Sequence, residues 1–425
     1  MWGSKIGIVS CVNDECASFE YDKDFLNSGI EISPIYMPLS RSVYRFPNLN
    51  KQTFKGLPGL LADSLPDRYG DRIMQAWLAS KGRTIDSFSP IERLCYMGKR
   101  GMGALEYIPS IGLESSINEE IDIDSMVDLA SKVLSERKGL ILDEKDANSC
   151  SLIKFGTSAG GARAKAIVAI ENKTGKICSG QIADRNNYTY WIIKFDDVVG
   201  NGDHNQTDSS GYTRVEYAYY LMAKAANINI NECKLLELND RCHFMTRRFD
   251  RQIDSGQKIH MQTLGVIGHF DYNIPRSCSY EKASKICMML KLDSVDIYEL
   301  FRRMVFNVLA INHDDHVKNI SFLMDRNGKW SLAPAYDLCY SYNPNSMWVN
   351  QHQMSINGKG KDITLSDLYE AAKNMNINHN KAKIIIDEVK YAVSKWNEFA
   401  RTANVNIELE KTIKEALEVN LKSFL

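Results

Sequence analysis

The sequence predicts an α+β protein of two or three packed units, β-rich in its first half and mostly helical in its second. Three observations carry this. The chain has 425 residues, more than one small domain holds. Short apolar runs bounded by turn residues dominate the first part, and helical apolar spacing dominates from residue 280 onward. Strands first and helices later read as a smaller β-rich lobe and a larger helical lobe, here drawn as residues 1–110, 111–260 and 261–425.

Taken in order, Ile6–Val9 and Ile30–Met37 read as strands separated by Gly and Asn turns. Pro66 suits a helix start, and Arg72–Lys81 has helical spacing that ends at Gly82. Residues 91–107 pass from a helix through a Gly-rich turn into a strand, Met97–Leu105. Residues 110–148 are more polar and carry one amphipathic helix, Met126–Leu134, which marks a boundary. Ala166–Ile170, Tyr190–Phe195 and residues 242–249 read as strands, and residues 212–226 as a helix. Residues 280–311 and 364–425 are helical, and no internal repeat or low-complexity tract interrupts them.

Bulk properties narrow the function classes. Hydrophobic residues make up 44% and charged residues 25%, with a net charge of -1, so the overall balance calls for neither nucleic acid nor an anionic membrane. No apolar run approaches the about 18 residues of a membrane span. The N-terminus has no basic start followed by an apolar stretch, so no secretory signal is expected. The ten cysteines have no C-x-x-C spacing, which points to reduced, mostly buried thiols in a cytoplasmic protein rather than a disulfide or zinc framework.

The chemistry concentrates in one stretch. Phe306–Ile311 is apolar, Asp314-Asp315-His316-Val317-Lys318-Asn319 is polar, and Ile320-Ser321-Phe322 is again apolar. Polar groups crowded between two core elements are costly unless they meet a ligand, a metal or one another. Eighteen residues after Asn319 comes Asp337, beside another apolar run. Phosphoryl transfer needs such a set: an acid that orients the attacking hydroxyl, an amide oxygen and a second acid on Mg2+, and a cation against developing charge. A turn whose Asp, His and Asn side chains cap neighbouring elements would use the same residues.

These residues resemble the HipA family of bacterial kinases, the toxins of HipBA-type toxin–antitoxin systems. The family's D-x-H-x-K-N motif is matched by Asp314, His316, Lys318 and Asn319, and its later Tyr-Asp by Tyr336 and Asp337 after Pro334. Its S-x-A-G-A-Q-E-K loop is similar to Ser158-Ala159-Gly160-Gly161-Ala162-Arg163-Ala164-Lys165, and its I-L-K strand to Ile192-Ile193-Lys194. Its R-F-D-R hinge matches Arg248-Phe249-Asp250-Arg251, its E-Y helix Glu216-Tyr217, and its L-P-D region Leu65-Pro66-Asp67. The match runs in order through the whole chain and is weakest in the last 60 or so residues.

The resemblance implies a two-lobed, protein-kinase-like fold and ATP with Mg2+ as cofactors. It makes Asp314 the catalytic base and Asn319 and Asp337 the Mg2+ ligands. Lys194, with Ser158, Ala159, Gly160, Gly161, Ala162 and Lys165, becomes the phosphate-binding set, and Arg247 to Phe249 the hinge that meets adenine. Ser158 matches the serine that the family autophosphorylates. His316 reads as support for the loop or as a participant in it, Lys318 as a γ-phosphate contact or a partner of Asp314. Glu216 reads as an orienter of Lys194 or as a solvent-facing helix acid. Two departures stand out: Arg163 in the phosphate loop and Arg247 where a Glu is common.

By resemblance the substrate is a protein hydroxyl on a translation component such as an aminoacyl-tRNA synthetase, and the outcome growth arrest. The implied partner is a HipB-like helix-turn-helix antitoxin, with DNA reached only through it and no membrane partner. The competing readings are a weakly active antitoxin partner in operator repression and a lipid or small-molecule kinase.

Overall fold

The computed structural model describes residues 1–12, 16–111, 121–135, 152–153, 161, 163–181, 186–198 and 211–424. They fall into two units. The first comprises Met1–Ser210, Leu236–Gln262 and Met324–Lys329, the second Gly211–Leu235, Thr263–Leu323 and Trp330–Leu425.

The first unit opens with an antiparallel sheet of β1 (Gly7–Val12), β2 (Cys16–Tyr21) and β3 (Tyr44–Arg45). Its register pairs Gly7 with Tyr21. Gly7 is obligatory, because a Cβ there would lie 2.3 Å from the Glu20 carbonyl oxygen and 2.6 Å from the Phe19 ring. Helix Arg68–Ser80 follows and buries Tyr69, Ile73, Met74 and Trp77, the spacing that marks one helical face. Helix Pro90–Met97 starts with Pro at its first turn and a reciprocal cap between Ser89 and Glu92.

A five-stranded sheet forms the rest of this unit. Its strands are β4 (Lys165–Glu171), β5 (Ile177–Ser179), β6 (Tyr188–Lys194), β7 (Cys233–Leu238) and β8 (Arg241–Arg247), in the order β5-β4-β6-β8-β7. Tyr69, Trp77, Tyr96, Val127, Val168, Trp191 and Met245 belong to one buried cluster, so residues up to 108 and the sheet share a core. Trp77 and Tyr96 bring their ring centroids to 4.7 Å within it.

Two expected strands are not strands. Ile30–Met37 is a run of turns, because Pro34 supplies no N–H to a ladder and the Ile32 carbonyl accepts from the side chains of His260 and Gln262 instead. Met97–Leu105 bends at Gly98 (φ 52°) and Gly103 (φ 73°), and the Gly103 N–H donates to Asp250 rather than to a neighbouring strand.

The second unit is mostly helical. Helices Tyr212–Ala225, Tyr280–Met289, Ser294–Leu309, Leu365–Asn374, His379–Ser394, Trp396–Thr402 and Ile407–Lys422 surround a core in which Leu300, Phe301, Met304, Val305, Phe306 and Leu309 are fully enclosed. The expected helical end of the chain is therefore present. The described cysteines form no disulfide, and seven of the nine are buried. Among the described residues, no helix is long and apolar enough to cross a membrane.

Candidate active site

The polar hexapeptide begins where helix Ser294–Leu309 stops. Ala310 N–H donates to Phe306 O at 2.8 Å and Asn312 N–H to Asn307 O at 2.9 Å, and Ile311 between them takes a φ of 54°. A β-branched residue in the left-handed region is strained. The Tyr219 hydroxyl, which donates to Ala310 O at 2.7 Å, helps to hold this turn and sends the chain off the helix axis. At the far end, Leu264 N–H donates to Ile320 O at 2.8 Å and Gly265 N–H to Val317 O at 3.0 Å. The loop is thus pinned at both ends by backbone bonds.

Inside the loop the side chains divide. Asn312, Asp315, Val317 and Ile320 are buried, while Asp314, His316, Lys318 and Asn319 are half-buried. The Asn319 amide nitrogen donates to Asp314 O at 2.8 Å, which leaves its amide oxygen as the group able to face a cation. His316 Nε2 stands 3.9 Å from Asp314 Oδ1, and the Lys318 ammonium lies 4.9 Å from the centroid of the Tyr272 ring. Burial, with His352 beside it, pushes the His313 imidazole down to about 3, so it is neutral.

Asp337 belongs to the same unit and has a φ of 58°, a left-handed position that aspartate tolerates better than most residues. Its neighbour Tyr336 ties the two motif pieces together. The Tyr336 hydroxyl donates to Lys318 O at 2.6 Å and stands 2.6 Å from the Ser321 hydroxyl. Asn319 and Asp337 offer hard oxygens of the kind Mg2+ takes alongside water and phosphate. Among the described residues no cluster of three His, Cys, Asp or Glu suits a metal.

In the first unit, Lys165 and Lys194 are direct cross-strand partners on β4 and β6, and both are buried. Like charges set opposite one another destabilise a sheet unless an anion answers them. Lys194 also lies 5.8 Å from the Phe244 ring centroid. Gly161 has a φ of 102°, and a Cβ there would lie 2.5 Å from the Lys165 amine. Its N–H donates to the Asp67 carboxylate at 2.6 Å, so the L-P-D segment touches the glycine-rich stretch expected to bind phosphate. The loop residues Ser158, Ala159, Gly160 and Ala162 lie outside the described residues.

Arg247 ends β8 and Phe249 follows at a bend, both half-buried. Between and after them sits an ion pair that the motif resemblance alone did not reveal. Arg248 donates to Asp250 at 2.8 and 2.7 Å, with both side chains 0% exposed. Arg248 also reaches Gly180 O at 3.4 Å, and its own N–H donates to Tyr190 O at 2.9 Å. Arg248 and Asp250 of the R-F-D-R motif therefore build the turn that presents Phe249, while Arg251 is itself buried against the Tyr190 ring. The i, i+2 spacing of two opposite charges in an extended stretch was the available signal. Glu216 is buried in helix Tyr212–Ala225, so it is not a solvent-facing acid.

Comparison with known proteins gives the family and the fold. A family model described as the HipA N-terminal domain matches residues 1–108, and one described as the HipA-like C-terminal domain matches residues 157–396. A protein of Sinorhizobium fredii (strain NBRC 101917 / NGR234) named "Putative kinase Y4dM" is 21% identical over 229 residues, covering 50% of this chain and 54% of that one. The chain thus spans about half the length of this curated relative. Among solved structures, HipA in the Shewanella oneidensis MR-1 complex of HipA, HipB and operator DNA is similar, with a TM-score of 0.66 at 17% identity. That match covers 98% of this chain and 93% of the other, so the α+β fold is the one HipA has. With family models matching residues 1–108 and 157–396, more than half its length, the chain belongs to the HipA family.

Proposed function

We propose that the protein is an ATP- and Mg2+-dependent serine/threonine protein kinase of the HipA toxin type. The observation that carries this is the Tyr336 hydroxyl, which donates to the Lys318 backbone carbonyl and so ties the residue before Asp337 to the loop that carries Asp314, Lys318 and Asn319. In this reading Asp314 accepts the proton of the attacking hydroxyl, Lys318 balances charge on the transferred group, and His316 supports the loop beside Asp314. Asn319 and Asp337 would hold Mg2+, which supplies charge neutralisation on the phosphates. Lys194 and Lys165, with residues 158–162, would bind the phosphates, and Arg247 to Phe249 the adenine.

The kinase name of the Sinorhizobium relative supports the activity, and the HipA–HipB–DNA assembly of the Shewanella protein supports a HipB-like antitoxin as partner. The acceptor is a protein hydroxyl, and Ser158 is a second, internal acceptor whose phosphate would add about two negative charges to a loop built for phosphate. The test is transfer from Mg-ATP by purified protein, with phosphoproteomes of cells expressing wild type and Asp314→Ala compared in parallel. Loss of transfer in Asp314→Ala with its fold intact supports the reading. Retained transfer refutes the assignment of the base, and phosphate absent from Ser158 in active protein removes the internal acceptor.

A further inference from the structure

The residue between Asp314 and His316 occupies the unassigned x of D-x-H-x-K-N, yet it is the most enclosed acid of the loop. The Asp315 side chain is 0% exposed, and four donors converge on it. Gln353 N–H reaches Oδ1 at 2.7 Å and Met354 N–H reaches it at 3.4 Å. The Tyr280 hydroxyl reaches Oδ2 at 2.9 Å and His352 Nδ1 at 3.0 Å. Three of these donors belong to one segment, which follows Asp337 in the chain.

The residue on the other side of Asp314 grips the same segment. His313 Nδ1 lies 3.2 Å from Val349 O, and its ring centroid is 4.3 Å from that of His352. A carbonyl and a carboxylate only accept, so both imidazoles carry a proton on Nδ1. Further back, Asn307 donates to the Tyr280 hydroxyl at 2.9 Å, and Asn312 donates to Asn307 at 2.9 Å. The segment has no helix or strand between Leu338 and Thr364, only isolated bridges such as Ser279 to Ser355, with Arg276 N–H on Gln353 O at 2.7 Å and His352 N–H on Gly360 O at 2.8 Å, so Asp315 adds side-chain bonds to a sparse backbone network. Its surface is not bland: Met347 is 76% and Tyr342 40% exposed, an apolar and aromatic face on the chain that leads away from Asp337.

We propose that Asp315 is a positioning residue that clamps residues 349–354 onto the loop carrying Asp314, making the segment after Asp337 a preformed platform for the polypeptide that receives phosphate. The clamp is an internal carboxylate, so the platform needs no modification of the segment to be ordered. The idea deepens the kinase reading and rests on it for its kinetic arm only.

The test uses the full chain, Mg-ATP and dephosphorylated casein as acceptor, with Asp315→Ala and Asp315→Asn. Asn keeps an oxygen for the Gln353 and Met354 N–H groups but sets its NH2 against the Tyr280 hydroxyl and the His352 Nδ1–H, both donors to Asp315. In Asp315→Ala, amide hydrogen exchange at residues 349–356 should rise about tenfold or more, the loss of one charge-assisted hydrogen bond at least. KM for casein should rise with it, while KM for ATP stays within about twofold of wild type. Asp315→Asn should recover part of both, because only the Gln353 and Met354 bonds are restored. Should Asp315→Ala not fold, His352→Gln loosens the clamp from the segment's side and carries the same readouts. Unchanged exchange at 349–356, or a fall in kcat with casein KM unchanged, overturns the proposal. If wild type transfers no phosphate the kinase reading fails, and the exchange measurement still decides whether the clamp exists.

Discussion

Replacing Asp250 with alanine should be among the most damaging single changes in the first unit. The carboxylate is 0% exposed and accepts from Arg248 twice, at 2.8 and 2.7 Å, and from Gly103 N–H at 2.8 Å. Exchanging such a pair for apolar groups of similar shape is often neutral, because desolvation offsets the attraction. Removing one partner is different, since it strands the other charge. Asp250→Ala leaves the enclosed Arg248 guanidinium without its carboxylate and the Gly103 N–H without its acceptor. The first effect is about 3–5 kcal/mol and the second about 1 kcal/mol, a large share of the 5–15 kcal/mol that holds a typical domain together. The pH dependence has a definite sign. Burial alone would raise the Asp250 carboxyl, but the Arg248 charge and hydrogen bonds outweigh it and hold it below the usual carboxylate range. Its contribution is therefore full above the unfolded value of about 4 and is lost as pH falls through the lower folded value. Urea unfolding at pH 7 and at pH 4 and below, followed by tryptophan fluorescence, measures both. Arg248→Met combined with Asp250→Asn should recover much of the loss. A change below about 1 kcal/mol at pH 7 in Asp250→Ala, or a double variant no better than it, would refute the reasoning.

The other predictions are briefer. Asp337→Gly should abolish phosphate transfer and leave stability within about 1 kcal/mol, since glycine suits the 58° φ and offsets its own backbone entropy, whereas Asp337→Ala should lose transfer and stability together. A non-hydrolysable Mg-ATP analogue at 100 times its Kd should stabilise the wild type by about 2.7 kcal/mol, read as a rise in melting temperature. Lys194→Met should suppress that shift without lowering the ligand-free melting temperature, and an undiminished shift would remove Lys194 from the phosphate site. Burial pushes His260 and His269 down to about 4 and His313 to about 3, so the unfolded chain binds more protons below about 6.5. Urea midpoints should fall steadily from pH 6.5 toward pH 4, and a flat profile would mean that these imidazoles are not buried neutral.

What could be read in advance were features whose cause is local. Ala166–Ile170 and Tyr190–Phe195 are apolar and β-branched over a strand's length, and β4 and β6 lie there. The helix at 212–226 and the long helical tail follow from periodicity in the same way. The polar stretch at 314–319 could be found because its neighbours on both sides are core. The failures have a common cause, in partners far away along the chain. Ile32 gives its carbonyl to His260 and Gln262, and Gly103 gives its N–H to a residue 147 positions later. No window on the sequence contains both halves of such a bond, so an apolar run that meets one is misread as a strand.

The same limit explains Asp314 and Asp315. Adjacent identical side chains in a segment without helix or strand have no periodicity to say which turns inward, and composition cannot divide them. The structure divides them by counting donors: Asp315 meets two backbone N–H groups, a phenol and an imidazole, while Asp314 remains half-buried with His316 at 3.9 Å. Crowded polar groups must meet a ligand or one another, and residues 312–319 do both. The Asn312 NH2 and Asp315 are answered from within, by Asn307, Tyr280, His352 and Gln353. Asp314, His316, Lys318 and Asn319 keep their reach toward solvent, and a loop already pinned by its inward members can hold the outward ones in register with little entropy left to lose when a ligand arrives.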